Sequence, residues 1–426
     1  MKKIYMIGIG GIGMSALAQL YIAEGNVVTG SDRDHSPTTD MLEKLGVAIN
    51  YGQAVAKVPS DADLVVYSDA IAESHIERAQ ARELRKQQAS YFHALGIVSR
   101  NRRTIAVSGT HGKTTTTAML AKILKDAGKN PTAIIGSIVR DFNSNFVLGA
   151  ESPFVVEACE YRDHLLELSP EVLVITNVEW DHTDWFHTEE DMIGTFHRAA
   201  LKVPEHGCIV ADVRAPHMAE VLEGITATVV DYRDIDAPET HLIGEFNKMN
   251  VRAAVAAAKA AFPDIDQKGI DESLYDFQGT WRRFEYKGES KEGMRVFDDY
   301  AHHPTAIRET LKAARDDSRI RGRRLVAVFH PHLYTRTRDL MDDFAKAFIH
   351  ADEVILAPIY AAREEPIPGI TSDVLAEKVK ANGTPARALK SLDEIFEYIQ
   401  TVASKEVCLI TMGAGDVYKL ADRLVG

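Results

Sequence analysis

Short apolar runs of three to five residues recur along this chain and alternate with longer stretches in which apolar positions return every three or four residues. The runs lie at 3–7, 27–29, 64–67, 104–107, 154–156, 172–175, 296–298, 325–328, 353–356 and 407–410. Bounded by glycine and polar residues, they read as buried strands. The stretches between them predict helices, among them 14–24, 39–45, a polar one over 76–88, and an alanine-rich one over 250–261. Strand and helix in alternation mean parallel sheets with helices on their faces. No long low-complexity linker interrupts the pattern, so the joints are short, near 101 and 280. The predicted fold is α/β in three domains, 1–101, 102–280 and 281–426.

Two strand ends carry glycine-rich turns. After the run at 104–107 comes Ser108-Gly109-Thr110-His111-Gly112-Lys113-Thr114-Thr115, and then a helical pattern. Glycines let backbone N–H groups close around phosphate oxygens, the lysine reaches the outer phosphates, and the threonine hydroxyl is placed for Mg²⁺. Val107 stands where the longer form of this loop has glycine, so the loop is a shorter variant. Strand, turn and helix together predict an ATP site in the central domain. After the first run comes Gly8-Ile9-Gly10-Gly11-Ile12-Gly13, with Ser31-Asp32 at the end of the next strand. This layout puts a diphosphate on a helix N-terminus and a carboxylate near a ribose. It leaves the nucleotide open between NAD and a UDP-sugar.

Composition narrows the partners. With 49 basic and 62 acidic residues the net charge is −13, which argues against a general nucleic-acid or membrane-surface binder. Cys159, Cys208 and Cys408 form no Cys-x-x-Cys pair, so neither a disulfide framework nor a zinc site is expected, and a reducing cytoplasm fits. The apolar N-terminus is broken by four glycines, which speaks against a signal peptide. No run of 18 apolar residues predicts a transmembrane helix.

Carboxylates and histidines cluster at further strand ends. Glu157 and Glu160 follow the run at 154–156, and Thr176-Asn177-Val178-Glu179-Trp180-Asp181-His182 follows the one at 172–175. Beside a phosphate loop, Glu157 and His182 are candidates for holding Mg²⁺. In the last third, Asp298-Asp299-Tyr300-Ala301-His302-His303 and His330-Pro331-His332-Leu333-Tyr334-Thr335-Arg336 end two strands and could hold a carboxylate and guide a proton.

Taken in order, these motifs resemble the Mur ligase family over nearly the whole chain. To those above are added Phe277-Gln278-Gly279-Thr280-Trp281-Arg282-Arg283-Phe284 and Gly413-Ala414-Gly415-Asp416. The resemblance implies a Rossmann-like UDP-sugar domain, a central P-loop ATP domain and a Rossmann-like amino-acid domain. It implies ATP-dependent addition of L-alanine to the lactyl carboxylate of UDP-N-acetylmuramate through an acyl phosphate, in cytoplasmic peptidoglycan synthesis. ATP and Mg²⁺ follow, with no nucleic-acid or membrane partner, in a monomer or homodimer. Residue by residue, it implies Gly10, Gly11, Ile12, Gly13, Ser31 and Asp32 for the UDP-sugar. For ATP it implies Gly109 to Thr115, Asn247, Asn250 and Arg282, with Arg283 as the other choice. Thr114, Glu157 and His182 would hold metal; Tyr300, His302 and Arg336 would surround the amino acid; Lys113, His182, His302 and Arg336 would serve catalysis. Leu333 stands where many members have arginine, and Gln53 where many have histidine. Two readings stay beside this one: a ligase that recycles a whole tripeptide onto the same sugar nucleotide, and an NAD-dependent oxidoreductase with a fused ATP module. Sites spread over three domains also predict closure on substrate.

Overall fold

A computed structural model describes residues 1–52, 57–362 and 364–426. Gln53 lies outside the described residues. The chain divides into two compact units. One comprises Met1–Val178, Ile193–Glu239 and Asn250–Gln278; the other comprises Glu179–Met192, Thr240–Met249 and Gly279–Gly426.

The first unit holds two sheets. Strands β1 (Lys3–Ile7), β2 (Val27–Asp32), β3 (Ala48–Tyr51), β4 (Leu64–Tyr67) and β5 (Gln87–Ser90) form an all-parallel sheet in the order β3-β2-β1-β4-β5. The order reverses between β1 and β4, and ligands of open α/β sheets bind beyond the strand ends at such a point. The second sheet is built from β6 (Thr104–Ser108), β7 (Thr132–Val139), β8 (Ser144–Val147), β9 (Phe154–Glu157), β10 (Val172–Ile175), β11 (Cys208–Ala211) and β12 (Thr228–Asp231). Its order is β12-β11-β10-β6-β9-β7-β8, parallel except for the β7–β8 hairpin. Here β6 lies between β10 and β9, which brings the three motif-bearing strand ends side by side.

The second unit holds β13 (Glu285–Glu289), β14 (Arg295–Asp299), β15 (Arg324–Phe329), β16 (Glu353–Leu356), β17 (Ala386–Ala388) and β18 (Val407–Met412) in the order β13-β14-β18-β15-β16-β17, with β13 antiparallel. Side chains alternate across it. Leu325, Ala327 and Phe329 join one buried cluster, and Val326 and Val328 join the other, so helices cover both faces.

The three-part α/β reading holds, with one clear correction. The helix expected over 76–88 ends at Glu83, Arg85 turns through a left-handed φ of 52°, and Gln87–Ser90 becomes edge strand β5. A Gln-Gln-Ala-Ser edge lacks the apolar alternation by which strands are recognised. Strands β3, β7, β8, β11, β12, β13 and β17 likewise lie outside the predicted runs. Among the described residues, no helix is long and apolar enough to cross a membrane.

Candidate active site

The phosphate loop is shaped by its neighbours as much as by its own glycines. Gly109 has φ +124°, and a Cβ there would lie 2.1 Å from Thr176 Oγ1. Gly112 has φ +84°, and its Cβ would lie 2.2 Å from Asn250 Oδ1. No other residue fits at either place. The loop is tied to the end of β10: Thr110 N–H donates to the Asn177 carbonyl (3.1 Å), His111 N–H to Asn177 Oδ1 (2.9 Å), and Asn177 Nδ2 to the His111 carbonyl (3.1 Å). Gly112 then opens the helix Lys113–Asp126 with no side-chain cap, leaving its first N–H groups for an anion. Thr114 and Thr115 are buried in its first turn.

Lys113 donates to the Gly109 and Thr110 carbonyls and to Glu160 Oε1 (3.1 Å), and its Nζ lies 2.9 Å from Glu160 Oε2. Burial pulls its pKa down, but Glu160 above all, with Cys159 and Glu157, raises it beyond the ordinary value, so it stays a cation. Glu160 is fully buried. Its place at a strand end was visible in the sequence; its pairing with Lys113 was not. Burial first, then Glu160, pushes the Cys159 thiol up to about 12, which removes it as a nucleophile.

Thr114 Oγ1 lies 3.1 Å from Glu157 Oε1, while Glu157 Oε2 accepts the Gly136 N–H at 2.9 Å. A Cβ on Gly136 would sit 2.2 Å from that oxygen, so the backbone itself cradles the carboxylate. A hydroxyl and a carboxylate side by side beneath a phosphate loop are hard oxygen donors of the kind Mg²⁺ takes, and they fit it.

At the first sheet, Gly10 N–H donates to Asp32 Oδ2 (2.7 Å), and the Ser31 carbonyl accepts from Gly8 N–H (2.8 Å) and Ile9 N–H (3.0 Å). Asp32 thus organises the turn ahead of the helix Ile12–Ala23, which also lacks a side-chain cap. Ser31 departs from expectation. Its hydroxyl donates inward to buried Glu77, whose other oxygen takes the Tyr5 hydroxyl at 2.6 Å, so its side chain serves the core. A cavity of about 280 Å³ runs from Gly11, Ile12 and Gly13 past Asp69 and Tyr91 to Glu157. It joins the glycine turn of the first sheet to the metal-type carboxylate of the second.

In the second unit, Arg336 and Asp181 are both 3% exposed and paired Nε to Oδ1 at 2.7 Å. Arg336 Nη1 also lies 3.2 Å from His332 Nδ1. Burial alone would push the Asp181 carboxyl up. Arg336 above all, then His182, His303 and His302, overcome this and hold it well below its ordinary value. Burial, then the Arg336 cation, holds the His302 imidazole well below 6.5, and its Nδ1 lies 3.0 Å from the Tyr300 carbonyl. Asp181 Oδ1 also takes the N–H of His182, whose φ of 52° turns the chain there. Leu333, buried with φ +70° and ψ 137°, opens the short helix that carries Arg336 and donates to the Tyr360 carbonyl at 2.9 Å. That backbone region is strained for leucine and persists because its surroundings hold it.

Arg282 also departs from expectation. It is buried, donating from Nε to Asp298 (2.7 Å), from Nη1 to the Gly415 carbonyl (3.1 Å) and from Nη2 to the Gly413 carbonyl (2.6 Å). It stitches the ends of β14 and β18 together. Arg283, less buried, lies over the Tyr300 ring at 4.9 Å. Asn250 meets the phosphate loop at Gly112, whereas Asn247 donates from Nδ2 to the Ile243 carbonyl at 2.8 Å. The predicted residues therefore fall into two sets. Lys113, Thr114, Glu157 and the glycine turns belong to the first unit. His182, Asn247, Arg282, Tyr300, His302 and Arg336 belong to the second.

Three family models match this chain in succession: the Mur ligase family catalytic domain over residues 3–103, the Mur ligase middle domain over 107–236, and the Mur ligase glutamate ligase domain over 282–415. The chain belongs to the Mur ligase family. The UDP-N-acetylmuramate–L-alanine ligase of Desulfitobacterium hafniense is 39% identical, with 99% of each chain covered. That of Acetivibrio thermocellus is 37% identical over 99% of this chain and 95% of its own. Among solved structures, the UDP-N-acetylmuramate–alanine ligase of Thermotoga maritima superposes with a TM-score of 0.82 at 27% identity, covering 100% of this chain and 98% of the other. A murein peptide ligase of Psychrobacter arcticus gives 0.74, also at 27% identity, with the same coverage. Mur ligases are ATP-dependent, and the lysine-bearing loop found here, with Glu157 and Glu160 beside it, suits that chemistry.

Proposed function

We propose that this Mur ligase joins L-alanine to the lactyl carboxylate of UDP-N-acetylmuramate at the expense of ATP, in cytoplasmic peptidoglycan synthesis. One observation carries the reading: a single cavity reaches from a diphosphate-type glycine turn to Glu157 beside the phosphate loop. A sugar nucleotide seated by its diphosphate at Gly11–Gly13 would direct its far end toward the nucleotide loop. Full-length similarity to L-alanine ligases supports the choice of substrates. The three cysteines are unpaired, in keeping with a reducing compartment.

A carboxylate has no good leaving group, so it must first be activated. The lactyl carboxylate attacks the γ-phosphorus of ATP, ADP departs, and an acyl phosphate forms. The amine of L-alanine then attacks that carbonyl, the C–O bond to phosphate breaks, and the amine proton is lost. Lys113 leaves Glu160 and the loop carbonyls to lie against the transferring phosphoryl oxygens. Thr114 and Glu157 would hold Mg²⁺; the ion, when bound, neutralises phosphate charge. Arg282 is engaged by Asp298 and by the Gly413 and Gly415 carbonyls, so Arg283 is the arginine of the pair proposed for anion contact. Neutral His302 can accept the amine proton, and Arg336, with Nε and Nη1 already engaged, offers Nη2 to the alanine carboxylate, beside Tyr300.

The test is phosphate release with Mg-ATP and UDP-N-acetylmuramate, comparing L-alanine, glycine, L-serine and the tripeptide. Release that needs both the sugar nucleotide and L-alanine is expected. Release with the tripeptide alone would overturn the assignment in favour of recycling.

A further inference from the structure

Asn145 is a fully buried amide in strand β8, remote in sequence from every motif described above. Its Nδ2 donates to the Ile12 carbonyl and to Ser15 Oγ (3.0 Å), and its Oδ1 accepts from Gln19 Nε2 at 3.3 Å. All three partners lie in the first eight residues of the helix Ile12–Ala23, which starts at the glycine turn of the first sheet. Asn145 itself belongs to the second sheet. Strand β8 pairs with β7 through Ile134↔Phe146, and β7 continues through Ile134, Ile135 and Gly136 along the wall of the cavity. Gly136 N–H then fixes Glu157. One short chain of contacts thus runs from the diphosphate-type helix, through Asn145 and the hairpin, to the metal-type carboxylate.

We infer that Asn145 is a positioning residue for phosphoryl transfer: it clamps the helix that seats the sugar nucleotide at a fixed distance from Glu157 and Thr114. The inference rests on the proposed substrates and goes beyond them. A purely structural contact between two packed sheets needs no polar group. A buried amide with both ends satisfied by one helix fixes register and separation, which apolar packing alone does not. Reacting groups misplaced by about 1 Å lose on the order of 10²-fold in rate. Each half-site is built by its own sheet and survives loss of the clamp.

The experiment uses the full chain with N145A and N145D; the second keeps the side-chain shape but removes both donors. Binding of UDP-N-acetylmuramate alone and of a non-hydrolysable ATP analogue alone is measured by calorimetry, and kcat by phosphate release at saturation. Wild-type turnover tests the proposed reaction, and the ratio of variant to wild type tests the clamp. The expected result is a fall in kcat of about 10²-fold, with each separate affinity within about threefold of wild type. An unchanged kcat, or a rise in KM for the sugar nucleotide alone, would overturn the inference. Should the Asn145 variants not fold, S15A removes one acceptor and leaves the Ile12 contact. It is expected to lower kcat by about three- to tenfold per folded molecule, and no change there would equally overturn the clamp.

Discussion

The phosphate loop and the Arg336 cluster are both proposed to meet anions, yet they are made from different materials. The loop is backbone carved by glycine: Gly109 and Gly112, like Gly136 in neighbouring β7, stand where a Cβ would strike Thr176, Asn250 and Glu157. The Arg336 cluster is made of buried charged side chains, with Asp181 holding the cation and both excluded from water. A backbone site is pre-set by conformation and needs little electrostatic balance. A side-chain site must neutralise its own charges before it can recognise anything. Removing a group from the first should therefore cost rate, and from the second stability; Lys113, a buried cation paired with Glu160 within the backbone site, should cost both.

The largest effect on rate is expected at Lys113. Replacing it with methionine should lower kcat by about 10³-fold, as for loss of a group that meets charge developing in the transition state. It also strands buried Glu160, so the variant should lose about 3–5 kcal/mol of stability. The double variant K113M/E160Q sharpens the distinction. Urea unfolding should return toward wild type while phosphate release stays lost. Activity recovering together with stability would mean that Lys113 is a structural cation.

At Arg336 the order of effects is reversed. Arg336→Met leaves Asp181 buried without its cation and should cost about 3–5 kcal/mol, read by urea denaturation. Adding D181N should restore most of that. L-alanine use should stay impaired in the pair, with ATP-analogue affinity unchanged. If D181N instead restores L-alanine turnover, Arg336 serves only to hold Asp181.

This contrast also explains what could be read from residues in order. The phosphate loop was legible because its conformation depends on local glycines and a neighbouring lysine. The glycine turn was legible for the same reason, although Ser31, adjacent to Asp32, faces the core toward Glu77. The Arg336–Asp181 pair spans 155 positions, and no spacing rule links them. Arg282 and Arg283 are neighbours with opposite fates, decided by carbonyls at 413 and 415 that only the folded sheet brings near. Asn145 carries no local signal at all. Strand β5 was hidden by its polar edge, and the turn at Arg85 by a residue type that rarely takes positive φ.

The same contrast predicts a pH dependence to which the side-chain site contributes through His302. His302 titrates below 6.5 in the folded protein, so between its folded value and 6.5 the unfolded chain binds the extra proton. Its contribution is whole above 6.5 and is lost as pH falls below it, at up to about 1.4 kcal/mol per pH unit. His330, lowered by burial, acts in the same direction. Asp181 adds a second loss below 3.8. Asp298 and Asp299, raised by burial, oppose it, because the folded form keeps their protons longer. The urea midpoint should therefore fall between pH 7 and pH 5.5, and H302Q should flatten that fall. A variant whose midpoint runs parallel to wild type would assign the slope to other groups.

The smallest effect is expected at Asp32, where the two kinds of construction meet. Its carboxylate accepts the Gly10 N–H, so a side chain holds a backbone turn. The bond is charge-assisted but only partly buried, and D32A should cost about 1–2 kcal/mol. D32N retains an acceptor oxygen and should cost less. If the turn seats the sugar nucleotide as proposed, and not the reacting carboxylate, the change should appear as a several-fold higher KM for UDP-N-acetylmuramate with kcat preserved. A fall in kcat at saturating substrate would show that Asp32 sets the position of the reacting groups, the role inferred for Asn145, and does more than shape the glycine turn.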